Sequence, residues 1–319
     1  MTQFAPRYRT FSGYLKETFG TRVWKIPVHA GLTCPNRDGS IGRGGCIYCN
    51  NAAFHPGLST EDHSIAEQVL DGMELMRQRR GAGKFLVYFQ TFTNTYGDLG
   101  TLKHLYDEAV QFPEVVGLIV GTRPDCVSGW VLDLLGSYIP RLQVWMEYGL
   151  QSMHNNTLRF LKRGHTFEDY LEAVRQTYDR NIPVCSHIIL GLPGESREMM
   201  LQTAGTLCIP GVKAVKIHPL QVVRGTELEE MYARGEVSTL SLDRYLELVC
   251  DVLELLPSDL IIQRLTAESA LDLLIAPRWG VGKAAVLHLI DETLRKRGTF
   301  QGTYYREGKT GPSHRKESD

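Results

Sequence analysis

VWKIPVHAGLTCPNRDGSIGRGGCIYCN, residues 23 to 50, reads as a short β-rich run that empties into a glycine-rich loop carrying Cys34, Cys46 and Cys49. Eleven residues separate the first two cysteines and two separate the second pair. Barrel folds keep their chemistry on the loops that follow the carboxyl ends of their strands, so three thiolates there predict a metal centre. Iron-sulfur cubanes normally take four cysteines, and three would leave one iron open to chelate a small molecule. Two other readings stand beside this one. A structural zinc would take His29, His55 or His63 as its fourth ligand, and a thioredoxin-like Cys-x-x-Cys pair would leave Cys34 without a role. Tyr48, between the last two cysteines, is placed to stack on an adenine beside the centre.

Outward from this loop, β-rich runs alternate with helical stretches, the pattern of repeated βα units around a parallel sheet. Six strands are expected, at 23–29, 84–90, 115–122, 143–151, 184–191 and 214–222, with helices at 64–80, 101–111, 128–138, 167–181, 197–206 and 228–233. Ser64 with Glu67 three residues on is a capping box that starts the first long helix. Beyond residue 240 the pattern turns α-rich, with helices at 242–256 and 283–297 around the short strand DLIIQRL. The expected division is a barrel over 10–240, a C-terminal α-rich region over 241–302 packed on it, and a flexible basic tail over 303–319. From Arg295 onward seven Lys or Arg face three Asp or Glu, interleaved with Phe300, Tyr304 and Tyr305. A solvated tail and a nucleic-acid-binding extension both fit that composition, the first better.

The bulk numbers narrow the function classes. Thirty-five Lys plus Arg against 36 Asp plus Glu give a formal charge of -1, so no global field draws the chain onto polyanions. No stretch approaches the roughly 20 apolar residues of a membrane helix, so a cytoplasmic protein with no membrane partner is expected. In a reducing compartment seven cysteines read as ligands or core thiols rather than disulfides. Cys185 and Cys250 fall in strand and helix runs, and Cys126, just past the third strand, is the remaining cysteine placed to face a site.

Polar residues interrupt strands that should be apolar. In VWMEYGLQS (144–152) alternation puts Trp145, Glu147, Gly149 and Gln151 on one face and Val144, Met146, Tyr148 and Leu150 on the other. A buried Glu is costly unless it meets a basic side chain or binds ligand. Lys216 and His218 share a face of the sixth strand, as do Tyr88 and Gln90 on the second. These are lumen candidates, with a satisfied internal network as the equal alternative. Asn94 and Thr95 in TFTNTYG offer groups for an amino-acid zwitterion, Gly191 and Gly194 in ILGLPGES permit close approach of a flat ligand, and Arg163 in KRGH is suited to a bidentate carboxylate pair.

Together CPNRDGSIGRGGCIYC, YFQTFTNTY, VGTRPDCV, EYGLQS with RGH, GLPGE, KIHPL, QRLT and AP-W resemble the YhcC/YtqA-type radical S-adenosylmethionine (SAM) proteins. The likeness runs from about Thr10 to Gly302. These proteins are similar in turn to the radical domain of the Elongator catalytic subunit, which acts on the wobble uridine of tRNA, and the chain looks MnmL-like. The commonest radical SAM spacing is Cys-x3-Cys-x2-Cys; the long first gap is the expected form in this group. The resemblance implies an α/β fold, a partial (β/α)6 TIM-like barrel open on one side. It implies an enzyme with two cofactors, a 4Fe-4S cluster on Cys34, Cys46 and Cys49 and S-adenosyl-L-methionine. SAM would be cleaved reductively to a 5'-deoxyadenosyl radical, fed by an external one-electron donor of flavodoxin or ferredoxin type. The implied substrate is tRNA, with carboxymethylaminomethyl-uridine converted to aminomethyl-uridine; a protein or small-molecule substrate is the second reading, and a zinc-stabilised RNA-binding module the third. Tyr48, Asn94, Thr95, Glu147, Arg163 and Gly191 are the expected cofactor contacts, and Glu147, Gln151, Lys216 and His218 the expected catalytic set. No room remains after the barrel for Elongator's acetyltransferase domain.

Overall fold

Strands linked through helices have to run parallel, because each helix carries the chain back to the same edge of the sheet. In the computed structural model, which describes residues 6–50, 63–267, 270 and 272–306, seven of them form one curled parallel sheet. They are β1 (Val23–Val28), β2 (Lys84–Phe89), β3 (Val115–Thr122), β4 (Gln143–Gln151), β5 (Val184–Leu190), β6 (Val212–Pro219) and β8 (Ile261–Arg264), paired in that order. The helices are α1 (Phe11–Phe19), α2 (Ile65–Arg80), α3 (Leu99–Val110), α4 (Gly129–Gly136), α5 (Asn155–Phe160), α6 (Phe167–Tyr178), α7 (Arg197–Gly205), α8 (Glu227–Ala233), α9 (Leu242–Leu255) and α10 (Lys283–Arg297). The Ser64–Glu67 capping box opens α2 as expected, and Thr166 with Asp169 forms a second at α6.

Alternation along the strands separates two cores. Val87, Phe89, Leu118, Val120, Val144 and Met146 face the helices, while Leu86, Ile119, Trp145 and Cys185 face the lumen. The lumen is a half-barrel of six sequence-expected strands plus one more. The DLIIQRL strand, read from sequence as part of an appended region, is β8 and pairs with β6. Its four apolar-to-polar residues gave it no period strong enough to assign it to the sheet. The sixth strand also stops at Pro219 rather than 222, since proline carries no ladder N–H. Val222–Val223 (β7) instead pairs antiparallel with Leu274–Ala276 (β9).

The N-terminal α1, absent from the sequence expectation, closes the amino end of the barrel. Phe11 and Leu15 pack on Leu86, Ile119 and Trp145, with the Phe11 and Trp145 rings edge-to-face at 5.7 Å. Each such buried side chain contributes about 1.5–3 kcal/mol. Residues at the start of the expected flexible tail are tied to α9, where Tyr304 N donates to Glu254 O at 2.8 Å. Residues 307–319, and His55, lie outside the described residues. Among the described residues no helix is long and apolar enough to cross a membrane.

Candidate active site

Beyond β1 the chain enters the cysteine loop, and the α2 residue Gln68 clamps its entry. Its side chain accepts from His29 N at 2.8 Å and donates to His29 O at 3.0 Å. Arg37 N and Asp38 N both donate to Cys34 O, and Cys49 N donates to Cys46 O, so tight turns present the cysteines. The loop is fastened to the segment after α5: Ile47 N donates to Leu161 O, and Asn36 Nδ2 donates to Lys162 O. Asn36 Nδ2 and Arg163 Nη1 also lie 3.4 and 3.3 Å from Cys46 Sγ, and Arg37 donates to Cys49 O at 2.5 Å. Burial, then the neighbouring Cys46, pushes the Cys49 thiol up, against the opposing pull of the Arg37 and Arg163 charges.

The three cysteines line one cavity of about 290 Å³ at the carboxyl ends of the strands. Among the described residues the only ligand atoms all within 4.8 Å of one another are those of Glu147, Cys185 and His187. The loop sulfurs are therefore spread wider than the roughly 3.8 Å that 2.3 Å bonds to one tetrahedral zinc would give. One cysteine per iron of a cubane accommodates that spread. The donor set, three cysteines and no fourth, fits a 4Fe-4S cluster with an open iron. Two of the rival zinc ligands lie elsewhere: Gln68 holds the His29 backbone at the loop entry, and His63 Nδ1 lies 3.4 Å from Asp71. Neither lines the cavity.

Arg163 ties the cysteine loop to the end of β4. Its Nη1 also donates to Tyr48 Oη at 3.2 Å, and its Nη2 to Gly149 O at 2.9 Å. A Cβ at Gly149 would meet Gln151 Nε2 at 2.8 Å and Arg163 Nη2 at 3.0 Å. The gap that sequence alternation showed between Glu147 and Gln151 is thus the space both side chains use. Both contacts are side-chain tips, so Gly149→Ala is expected to displace Arg163 and Gln151 while lowering stability by about 1–3 kcal/mol. Altered electronic absorption of the reconstituted protein with a modestly lowered denaturant midpoint is the expected result; unchanged spectra would show that Arg163 does not depend on this gap.

At the cavity floor the lumen turns polar. Glu147, fully buried, forms an ion pair with Lys216, accepts from His187 Nε2 at 3.0 Å and lies 3.8 Å from Lys25 Nζ. Burial alone would raise its carboxyl pKa, but Lys216, then Lys25 and the His187 hydrogen bond, hold it well below the usual range. Lys216 Nζ donates to Tyr88 Oη at 3.0 Å, and the His187 and His218 rings lie 5.6 Å apart. Lys25, a quarter exposed to a second cavity on the α1 side, is pushed down to about 7 by burial and by the Lys216 ammonium. The Glu147, Cys185 and His187 trio is not read as a metal site, because Lys216 already neutralises the carboxylate and burial pushes the Cys185 thiol up.

Burial, then the nearby Lys216 charge, lowers His187 from 6.5 to about 4. Between those values the unfolded chain binds a proton that the folded protein does not, so stability falls as pH drops through this window. The expected loss is roughly 3 kcal/mol, seen as the difference between wild type and His187→Asn in denaturant midpoints from pH 7 to pH 4. Parallel pH curves for the two proteins would contradict it.

Cys34, Cys46, Cys49, Tyr48, Tyr88, Gln90, Glu147, Gln151, Arg163 and His218 all border the cavity, as expected of a site built at strand ends. Lys216 reaches the same network from beneath, bordering the α1-side cavity. Asn94 and Thr95 do not border the cavity. Asn94 Nδ2 donates to the carbonyls of Thr91 and Gly121, and Thr95 Oγ1 donates to Cys126 O, so they brace the loop while Thr91, Phe92 and Thr93 form the wall. Gly191 faces Leu240, and Cys126, half-buried, does not border the cavity and has its thiol pushed up to about 12, chiefly by burial. Sequence reading missed Lys25, Arg37, Arg123, His187 and Arg264. Lys25 in VWKIPV and His187 in VCSHIIL carry the same signal that exposed Glu147, a charged or polar residue inside an apolar strand.

Residues 36–207 match the profile of the Radical SAM superfamily, and residues 212–296 that of the Radical_SAM C-terminal domain. YtqA of Bacillus subtilis is 38% identical over 299 residues, 94% of this chain and 93% of that protein. The tRNA uridine(34) acetyltransferase of Methanocaldococcus infernus is 30% identical over 187 residues, 57% of this chain and 34% of its own length. Among solved structures, the archaeal Methanocaldococcus infernus Elp3 with its first 46 residues deleted superposes with a TM-score of 0.67 at 21% identity, over 88% of this chain and 64% of that one. That superposition bears on the fold, and it agrees with the half-barrel; the superfamily match removes the zinc-module reading and brings the 4Fe-4S cluster and SAM with it. A cysteine-bearing loop at the mouth of a parallel half-barrel, with a family profile over more than half of its length and a near end-to-end relative in YtqA, places this chain among the radical SAM enzymes.

Proposed function

We propose that Cys34, Cys46 and Cys49 hold the cluster and that the enzyme acts on the 5-substituent of the wobble uridine of tRNA, converting carboxymethylaminomethyl to aminomethyl. The carboxymethyl carbon would lose a hydrogen atom to the 5'-deoxyadenosyl radical and one electron back to the cluster, and water would cleave the resulting imine at its N–C bond to the amine and glyoxylate. The observation that carries this reading is the three-cysteine cavity in a chain 30% identical over 187 residues to a tRNA uridine(34) acetyltransferase. When bound, the cluster and SAM supply one-electron cleavage of the sulfonium to a hydrogen-abstracting 5'-deoxyadenosyl radical. The electrons come from an external donor of flavodoxin or ferredoxin type.

The chain's own residues bind, orient and exclude water. Arg163 holds the Cys46 side of the loop against β4, and Tyr48 offers a ring face to the adenine. Gln151, with its φ of 69° and its place in the cavity lining, and Glu147 Oε1, which accepts no hydrogen bond among the described residues and lies 3.8 Å from Lys25 Nζ, are the acceptors available to SAM or substrate hydroxyls. A left-handed non-glycine residue is a strained conformation of the kind that persists at functional sites. The half-barrel, open on one side, suits the bulk of an anticodon loop.

The test is nucleoside mass spectrometry of tRNA bearing carboxymethylaminomethyl-uridine, incubated with reconstituted enzyme, SAM and reductant. Deuterium on the substituent should enter 5'-deoxyadenosine as the nucleoside mass falls. Unchanged tRNA with rapid SAM cleavage on another substrate would retain the radical enzyme and remove tRNA as its substrate.

A further inference from the structure

Cations outnumber anions at the floor of the barrel. Lys25, Lys216 and Arg264 border the two lumen cavities, and Glu147 is the single carboxylate among the described residues that does. Lys216 is satisfied by Glu147 and Tyr88, and Lys25 donates to Gln263 Oε1 at 2.5 Å. Arg264, opposite Lys216 in the β6–β8 ladder, borders both cavities, and its guanidinium has no hydrogen bond or ion pair among the described residues. Two polar atoms in the same shell are buried without a partner, His218 Nε2 and Gln263 Nε2. The half-buried Arg264 guanidinium opens onto the cavity with five donors and no acceptor among the described residues, and a buried donor without an acceptor is costly, so the floor is complementary to an anion.

We propose that Arg264, with His218 facing the same cavity, forms a carboxylate-binding subsite that selects substrates whose reacting substituent ends in a small anion. The proposal deepens the function above and rests on it for the identity of the RNA. A carboxylate fits better than a phosphodiester. The subsite lies inside the barrel at strand depth, where a substituent reaches and a polynucleotide backbone does not, and the planar guanidinium fork matches a carboxylate. Sequence alternation pointed to Lys216 for this task, but Lys216 is occupied by Glu147. His218, lowered by burial and by Arg264, is a neutral ring able to donate from Nε2 rather than a second charge.

The experiment uses reconstituted holoenzyme and two tRNAs that differ in one group, carrying carboxymethylaminomethyl-uridine or methylaminomethyl-uridine, in competition binding at fixed salt. Wild type should prefer the carboxylate-bearing RNA by about 10- to 100-fold, the range of a charged hydrogen-bonded pair. Arg264→Gln should abolish the preference and Arg264→Lys restore part of it, with SAM affinity unchanged in both. A preference that survives in Arg264→Gln would overturn the subsite and leave the tRNA reading standing. A loss of SAM affinity with the preference intact would also overturn it, assigning Arg264 to SAM. Should wild type neither distinguish nor process either RNA, the tRNA reading falls, and N-methylglycine titrated against histidine ring resonances decides the subsite. Saturable shifts in wild type that vanish in Arg264→Gln support it; shifts equal in the two proteins, or absent from both, overturn it.

Discussion

Alanine in place of any one of Cys34, Cys46 or Cys49 is expected to reduce iron from about four per chain to a small residue after anaerobic reconstitution, since a cubane on three thiolates has no ligand to spare. SAM cleavage should fall by more than about 100-fold, beyond what loss of an outer-shell partner alone produces. The three are a unit in the structure: two tight turns present them, and Asn36, Arg37 and Arg163 hold the loop in place. Cys250→Ala is the control. Its thiol is buried against α10, where Sγ contacts the Ile290 carbonyl at 3.7 Å, and it should change neither iron nor cleavage. Four irons retained by the triple alanine protein would sink the ligand assignment.

The second large effect is on stability. Lys216→Met should destabilise the protein by about 3–5 kcal/mol, the usual cost of stranding one member of a buried ion pair. Glu147 would keep His187 and the more distant Lys25 but lose the ammonium that holds its charge inside the barrel. The double variant Glu147→Gln with Lys216→Met should recover most of that loss, because it removes both charges together. Urea denaturation of the single and double variants checks this. A single variant within 1 kcal/mol of wild type, at about 25 °C, would mean that Lys25 or solvent replaces Lys216 at the carboxylate.

Much of this was legible before folding, for a physical reason that differs from residue to residue. Strand and helix periods depend on neighbours two to four positions apart, so β3 and β4 are bounded in the sequence where the structure bounds them. The Ser64–Glu67 cap is local and was readable; Glu147 was visible as a carboxylate in an apolar strand. The α1 plug was not, because its apolar face matters only against Trp145 and Leu86, which lie far along the chain. Asn94 and Thr95 looked like ligand groups because their chemistry is suitable, yet their bonds to Thr91, Gly121 and Cys126 carbonyls are decided by how the loop folds back.

The sequence by itself determined the family, the parallel βα order and the three cysteines, since these rest on residue identity and short-range spacing. Only the tertiary structure decided which polar residues are already satisfied and which are left with unmet hydrogen bonds. Lys216 and Arg264 are both cations in lumen-facing strands, and nothing local separates them. Register across β4, β5, β6 and β8 brings Glu147 to Lys216 and leaves the Arg264 guanidinium without a partner among the described residues. Pairing between strands that are distant in the chain is a property of the folded sheet, and it is that pairing which turns one lysine into structure and one arginine into a binding group.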